Sequence, residues 1–219
     1  MATAAAGLTL ALAGCGGSGG GATSAGAPTQ PTFTGANACA AVTPPSGKAK
    51  REPKPTKRLD ATKTYDVKIV TNCGSFTIRL AVKTSPATTA SFVSLAQKGY
   101  FDGTVFHRIV PGFVIQGDDP TASGLGGPGY KTVDVPPPAT RYTLGVVAMA
   151  KAQNEAPGTS GSQFFVVTAQ DAQLPPDYAV LGAVTDGSDT VNRIGQLGDP
   201  ATEKPTETVE IEHATVGVH

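Results

Sequence analysis

Residues 106–120 read FHRIVPGFVIQGDDP. Two short apolar runs flank Pro111 and Gly112, so the stretch is too broken for a helix and reads as short strands about a turn. Each run carries one conspicuous polar side chain, Arg108 and Gln116. Side chains alternate across a strand, so Phe106 and Arg108 are expected on one face with His107 and Ile109 on the other. By the same rule Val114 shares a face with Gln116, and Gln163 with Phe165. Polar groups in such a setting are either satisfied inside a core or line a working cleft.

Outward from this stretch the pattern repeats. The segments YTLGVVAMA (142–150), SQFFVVTA (162–169) and YAVLGAVT (178–185) are also short, apolar and punctuated by Gly and Pro. Many short strands with Gly-rich turns indicate a barrel or sandwich. Upstream, Tyr65, Val67 and Ile69 alternate with polar residues, Asn72-Cys73-Gly74 makes a turn, and Phe76, Ile78 and Leu80 resume the alternation. This predicts a hairpin with one buried face. Pro86 opens a helix that Ser85 can cap; Phe92, Leu95 and Ala96 recur at helical spacing, and Gly99 stops it. A second helix is expected over 188–196 and a last strand over 208–214, giving an antiparallel β domain over residues 61–219, large enough for a core.

The N-terminal residues read differently. MATAAAGLTLALAGCGG (1–17) holds a short apolar run and then Cys15; the run is too short to span a bilayer. Leu12-Ala13-Gly14-Cys15 resembles a bacterial lipobox, which implies a signal peptide over 1–15, lipidation at Cys15, and an extracytoplasmic protein anchored to the cell membrane. No Lys or Arg precedes the run, as one normally does in such a leader. Residues 16–60 are rich in Gly, Ser and Pro and end in a basic run, Lys48 to Arg58, so they are expected to form a flexible tether. Cys39 and Cys73 could pair in an oxidising compartment or remain free. Nothing near them supplies zinc ligands, so neither metal nor cofactor is expected. The chain balances 17 Lys+Arg against 17 Asp+Glu and offers no field to attract nucleic acid.

If Arg108, Gln116 and Gln163 face one groove with aromatic neighbours, the groove can bind an apolar, extended peptide and bond to its backbone. It contains no Ser-His-Asp set, no paired carboxylates and no phosphate cradle, so hydrolysis is not its chemistry. FHRIVPGFVIQGD (106–118) and GTSGSQFFVVTA (158–169) resemble the two signature blocks of the cyclophilins, the cyclosporin-binding peptidyl-prolyl isomerases. The likeness runs from Tyr65 to Ala214. It implies an eight-stranded antiparallel barrel closed by two helices, and rotamase activity that assists the folding of extracytoplasmic proteins. Carried over, Arg108 is the catalytic residue, with Gln116 beside it. Phe113, Val114, Phe165 and Leu174 form the proline pocket. Gln163, Ala150, Lys151 and Tyr178 contact the substrate, a proline-containing segment of an unfolded or secreted protein. Gln173 and Tyr178 depart from the residues frequent in the family, which implies weakened cyclosporin binding. A binding module with little turnover, and a tethered protein whose cleft is idle, are the rival readings.

Overall fold

The computed structural model describes residues 39–219; Cys15 and the first part of the expected tether lie outside them. The hairpin forms where the alternation puts it, with β1 at Tyr65–Thr71 and β2 at Gly74–Leu80. Val67 pairs with Ile78 and Ile69 with Phe76, so the buried side chains of the two strands face the same core. α1 spans Pro86–Gln97. Proline at its start has no N–H to leave unpaired. The Ser85 side chain makes no capping bond; the Thr88 N–H instead donates to Asp134 Oδ2 at 2.6 Å, so the first turn is closed from a distant loop that local reading could not supply.

Nine further strands follow: β3 (Thr104–Val105), β4 (Arg108–Val110), β5 (Val114–Gly117), β6 (Thr132–Val133), β7 (Val146–Met149), β8 (Thr159–Ser160), β9 (Phe164–Val167), β10 (Val180–Asp186) and β11 (Glu210–Val218). α2 covers Ser188–Gly195 between the last two. The main sheet is antiparallel in the order β3-β11-β1-β2-β10-β7-β9-β5-β4, and β6 and β8 make a separate pair. The main sheet thus has nine strands among the described residues, not the eight expected. The extra strand arises because residues 104–110 are not one continuous strand. Phe106 and His107 leave the ladder, β3 pairs with β11 and β4 with β5, and the two lie at opposite edges of the curled sheet. An isolated bridge joins Val105 of β3 to Asp119, just beyond the end of β5.

The same break corrects the expected facing. Phe106 and Ile109 are both fully buried in the core, and Arg108 lies outside it. Two irregular residues reset the alternation, which holds only along an unbroken strand. Inside, Phe92 of α1 meets Phe101 at 4.7 Å and stands edge-on to Phe164 at 5.6 Å, and Val191 and Ile194 of α2 join the same core. Each such side chain contributes about 1.5–3 kcal/mol by burial.

Residues 39–60 have no helix or strand, yet they lie along the domain. A disulfide joins Cys39 to Cys73, and the Asn72 side chain donates to Ala40 O at 2.7 Å. Lys50 Nζ donates to Tyr100 O at 2.8 Å and Asp102 O at 2.9 Å. Glu52 takes a salt bridge from Lys98 at 2.7 Å, and its N–H reaches Pro128 O. Apolar residues are scarce here, but lysine ammonium groups and backbone N–H groups find carbonyl partners, a signal that composition does not carry. No helix among the described residues is long and apolar enough to cross a membrane.

Candidate functional site

A row of side chains on the outer face of the sheet builds the site. The register places Arg108 opposite Gln116, Gln116 opposite Phe165, Phe165 opposite Ala148, and Ala148 opposite Val180. One step along, Val114 faces Val167. The period of two therefore gives this face its own apolar cluster of Val114, Tyr142, Ala148, Phe165 and Val167, separate from the core on the other face.

Above this cluster lies a groove of about 330 Å³. Arg108, Phe113, Val114, Gln116, Ala150, Lys151, Phe165, Leu174 and Tyr178 line it, and so does Gln153. Nine of the ten residues expected at the site thus meet at one place; the tenth, Gln163, lies in the adjoining cleft with Gln116, Ala150 and Lys151. Gln153 carries no pattern that marks it in sequence, since it sits in an irregular loop.

The polar side chains form a directed network. Arg108 Nη1 reaches Gln116 Oε1 at 3.5 Å, and Gln116 Nε2 donates to Gln163 Oε1 at 3.2 Å. Gln163 Nε2 donates to Gly124 O at 3.0 Å and Gly126 O at 2.9 Å. Gln163 therefore spends its amide hydrogens on the Gly-rich loop rather than offering them to the groove. That loop is also held by Asp119, whose carboxylate accepts the N–H groups of Thr121 at 2.7 Å, Ser123 at 3.0 Å and Gly126 at 3.0 Å. Burial works against the charge on Asp119, but the Thr121 hydroxyl and these N–H groups outweigh it and lower the pKa. A Cβ on Gly126 would collide with Asp119 Oδ1, so the close approach requires glycine.

The far wall is aromatic. Tyr142 donates to Tyr178 O at 2.6 Å and accepts the Tyr178 N–H at 3.0 Å, while Tyr178 stands edge-on to Phe165 at 5.5 Å. Burial pushes the Tyr142 phenol up to about 12, so it remains a neutral donor. Sequence reading missed Tyr142, because its reach to Tyr178 is a tertiary contact. Lys151 Nζ lies 5.6 Å from the centre of the Tyr178 ring, within the range of a cation–π contact.

Glu203, also missed, accepts Arg108 Nε at 2.7 Å. His107 lies off the groove, and burial lowers its pKa. The arrangement presents the permanently charged Arg108 beside an apolar pocket, with Lys151 at the Tyr178 wall. It can polarise or hydrogen-bond a bound amide, and no Ser, Cys, His, Asp or Glu is among the described residues that line it.

The family described as "Cyclophilin type peptidyl-prolyl cis-trans isomerase/CLD" matches residues 66–216. Peptidyl-prolyl cis-trans isomerase-like 1 of Gibberella zeae is 37% identical over 157 residues, covering 70% of this chain and 95% of the relative. Its namesake in Neurospora crassa is 39% identical over 155 residues, covering 69% and 93%. The crystal structure of a Cryptosporidium parvum cyclophilin-type peptidyl-prolyl cis-trans isomerase superposes with a TM-score of 0.65 at 31% identity, covering 70% of this chain and 98% of that one. A second structure of that protein, in the presence of the dipeptide Ala-Pro, gives a TM-score of 0.64 at 33% identity, with coverage of 69% and 98%.

Proposed function

This chain belongs to the cyclophilin-type peptidyl-prolyl cis-trans isomerases, and we propose that it isomerises Xaa-Pro bonds at the Arg108 groove. The single observation that carries this reading is the guanidinium of Arg108 lining the same groove as Phe113, Val114, Phe165 and Leu174. Rotation about an Xaa-Pro bond breaks amide resonance against a barrier of about 18–20 kcal/mol, and unaided it takes tens to hundreds of seconds. No covalent bond is made. In the twisted state the prolyl nitrogen becomes pyramidal and regains a lone pair, which a donor stabilises more than it stabilises the planar amide. Arg108 is permanently charged and planar, and its several N–H groups can reach both nitrogen and carbonyl oxygen.

A rate gain of about 10⁵ needs roughly 7 kcal/mol off the barrier. One charged hydrogen bond, worth about 1.5–3 kcal/mol, supplies only part of that. The remainder comes from holding the proline ring in the apolar pocket while the carbonyl side rotates, and from excluding water around the cation. Gln116 orients Arg108, Tyr178 walls the pocket, and Ala150, Lys151 and Gln163 border the peptide upstream of proline. Arg108→Ala should retain peptide affinity within about threefold and lose at least about tenfold in turnover; a folded variant with wild-type turnover contradicts the assignment.

The groove supports proline-containing peptide segments as the substrate class; the lipobox resemblance extends the proposal to segments of unfolded or secreted chains. The lipobox resemblance at Cys15 supports an extracytoplasmic protein anchored to the bacterial cell membrane by lipid. Cys15→Ala should then release the protein from the membrane fraction, and a variant that stays bound contradicts the anchor. Cyclosporin should bind weakly, because Gln173 and Tyr178 stand where the family often has an aromatic and a histidine.

A further inference from the structure

We propose that Glu203 is a positioning residue of this isomerase: its carboxylate holds the Arg108 guanidinium by Nε, with Nη1 on Gln116, so that Nη2 faces the bound amide. The proposal rests on the reading of Arg108 as the groove's donor. Arg108 projects from β4, an edge strand of the sheet, so among the described residues no strand beyond it restrains the side chain. A long flexible side chain at such an edge needs an external partner to keep one geometry.

The loop from Gly198 to Lys204 supplies that partner, and it is fastened to β4 at three points. Gly198 packs so closely that a Cβ would collide with Ile109 O. The Ile109 N–H donates to Glu203 O at 2.9 Å. The Glu203 carboxylate then accepts Arg108 Nε at 2.7 Å. The loop is closed on itself as well. Glu203 N–H donates to Asp199 O at 2.8 Å, and the Asp199 carboxylate accepts the N–H groups of Ala201 at 2.8 Å and Thr202 at 3.0 Å.

Glu203 occupies this place at φ 58°, a conformation that suits glycine and is unfavourable for a residue with a Cβ. A glycine there would satisfy the loop, so the carboxylate is not needed for the turn. Nor is it needed for cohesion: the Arg108 and Glu203 side chains are 33% and 47% exposed, and exposed pairs add little stability. What the carboxylate does fix is orientation. With Nε on Glu203 at 2.7 Å and Nη1 on Gln116 at 3.5 Å, two of the three guanidinium nitrogens have side-chain partners. Nη2 has no hydrogen-bond partner among the described residues and is left for the substrate.

The test is a double-mutant cycle on the full protein. It reads kcat and KM for an Xaa-Pro peptide by exchange NMR, alongside thermal unfolding. Glu203→Gly should lower kcat about three- to tenfold with KM within about twofold, because misorientation acts on the transition state, and its unfolding midpoint should not fall. Glu203→Asp, which keeps the charge one methylene short, should recover part of the loss. In an Arg108→Ala background, adding Glu203→Gly should change kcat by less than about 1.5-fold, since there is no guanidinium left to position. Wild-type kcat in Glu203→Gly overturns the proposal. So does an equal loss in both backgrounds, which would assign the effect to the loop alone. If Arg108→Ala itself turns over normally, the donor reading falls and this proposal with it, and that arm identifies which of the two failed.

Discussion

At the scale of single residues, affinity and rotation are assigned to different side chains, and substitution should separate them. Phe113 lies in the turn between β4 and β5 and is packed against the outer cluster while only partly buried. Phe113→Ala should therefore raise KM about fivefold or more and lower kcat less than Arg108→Ala does, while costing little stability, because this wall binds the ring and also holds it as the carbonyl side rotates; an unchanged KM would place the proline ring elsewhere. Gln163 is 9% exposed and bonds the carbonyls of Gly124 and Gly126. Gln163→Leu leaves those carbonyls and the Gln116 amide without a partner, at a cost of about 1–3 kcal/mol. Urea unfolding should show that loss, and an unaltered midpoint would mean the loop is held by Asp119 alone.

At the scale of elements, the segment 39–60 is fixed at one end by the Cys39–Cys73 disulfide and in the middle by Lys50. A native disulfide contributes about 2–4 kcal/mol, so Cys39→Ala with Cys73→Ala should lower the unfolding midpoint by about 5–10 °C; equal midpoints would show that the segment does not depend on the bond. These elements also show what a chain reveals in advance. The hairpin was legible because Val67, Ile69, Phe76 and Ile78 alternate without interruption, and α1 because Pro86 and Phe92, Leu95 and Ala96 mark its start and face. The break at Phe106 and His107 was not, since an apolar run does not disclose where its backbone leaves the ladder. For the same reason the expected pairing of Phe106 with Arg108 on one face fails while that of Val114 with Gln116 holds. The groove could be outlined from its apolar and amide residues, but Tyr142, Gln153 and Glu203 come from irregular segments, and their contacts follow only from the folded chain.

At the scale of the whole molecule, two neighbouring acids respond to pH in opposite senses. Asp118 is fully buried and burial raises its pKa well above 3.8, with Thr104 Oγ1 donating to Oδ1 and Oδ2 without a partner among the described residues. A raised folded-state pKa means that its contribution is complete below 3.8 and is lost as pH climbs through the raised value. Asp119, with its lowered pKa, contributes above 3.8 and loses that contribution as pH falls. His107 is held neutral by burial, its pKa lowered from 6.5, so its contribution is present above 6.5 and lost on acidification. As pH rises above 3.8, the unfolding midpoint of Asp118→Asn should gain on that of the wild type; parallel midpoint curves would show that Asp118 does not carry this cost. The claim that joins all three scales is that rotation about the Xaa-Pro bond occurs in the Arg108 groove. One NMR sample tests it most directly: an Ala-Pro-containing peptide with a small amount of protein, observed for cis–trans exchange in the peptide and for amide shifts in the protein. The account predicts exchange peaks together with shifts centred on Arg108, Phe113, Gln116, Phe165 and Leu174. Exchange without shifts at those residues, or shifts there without exchange, would contradict it.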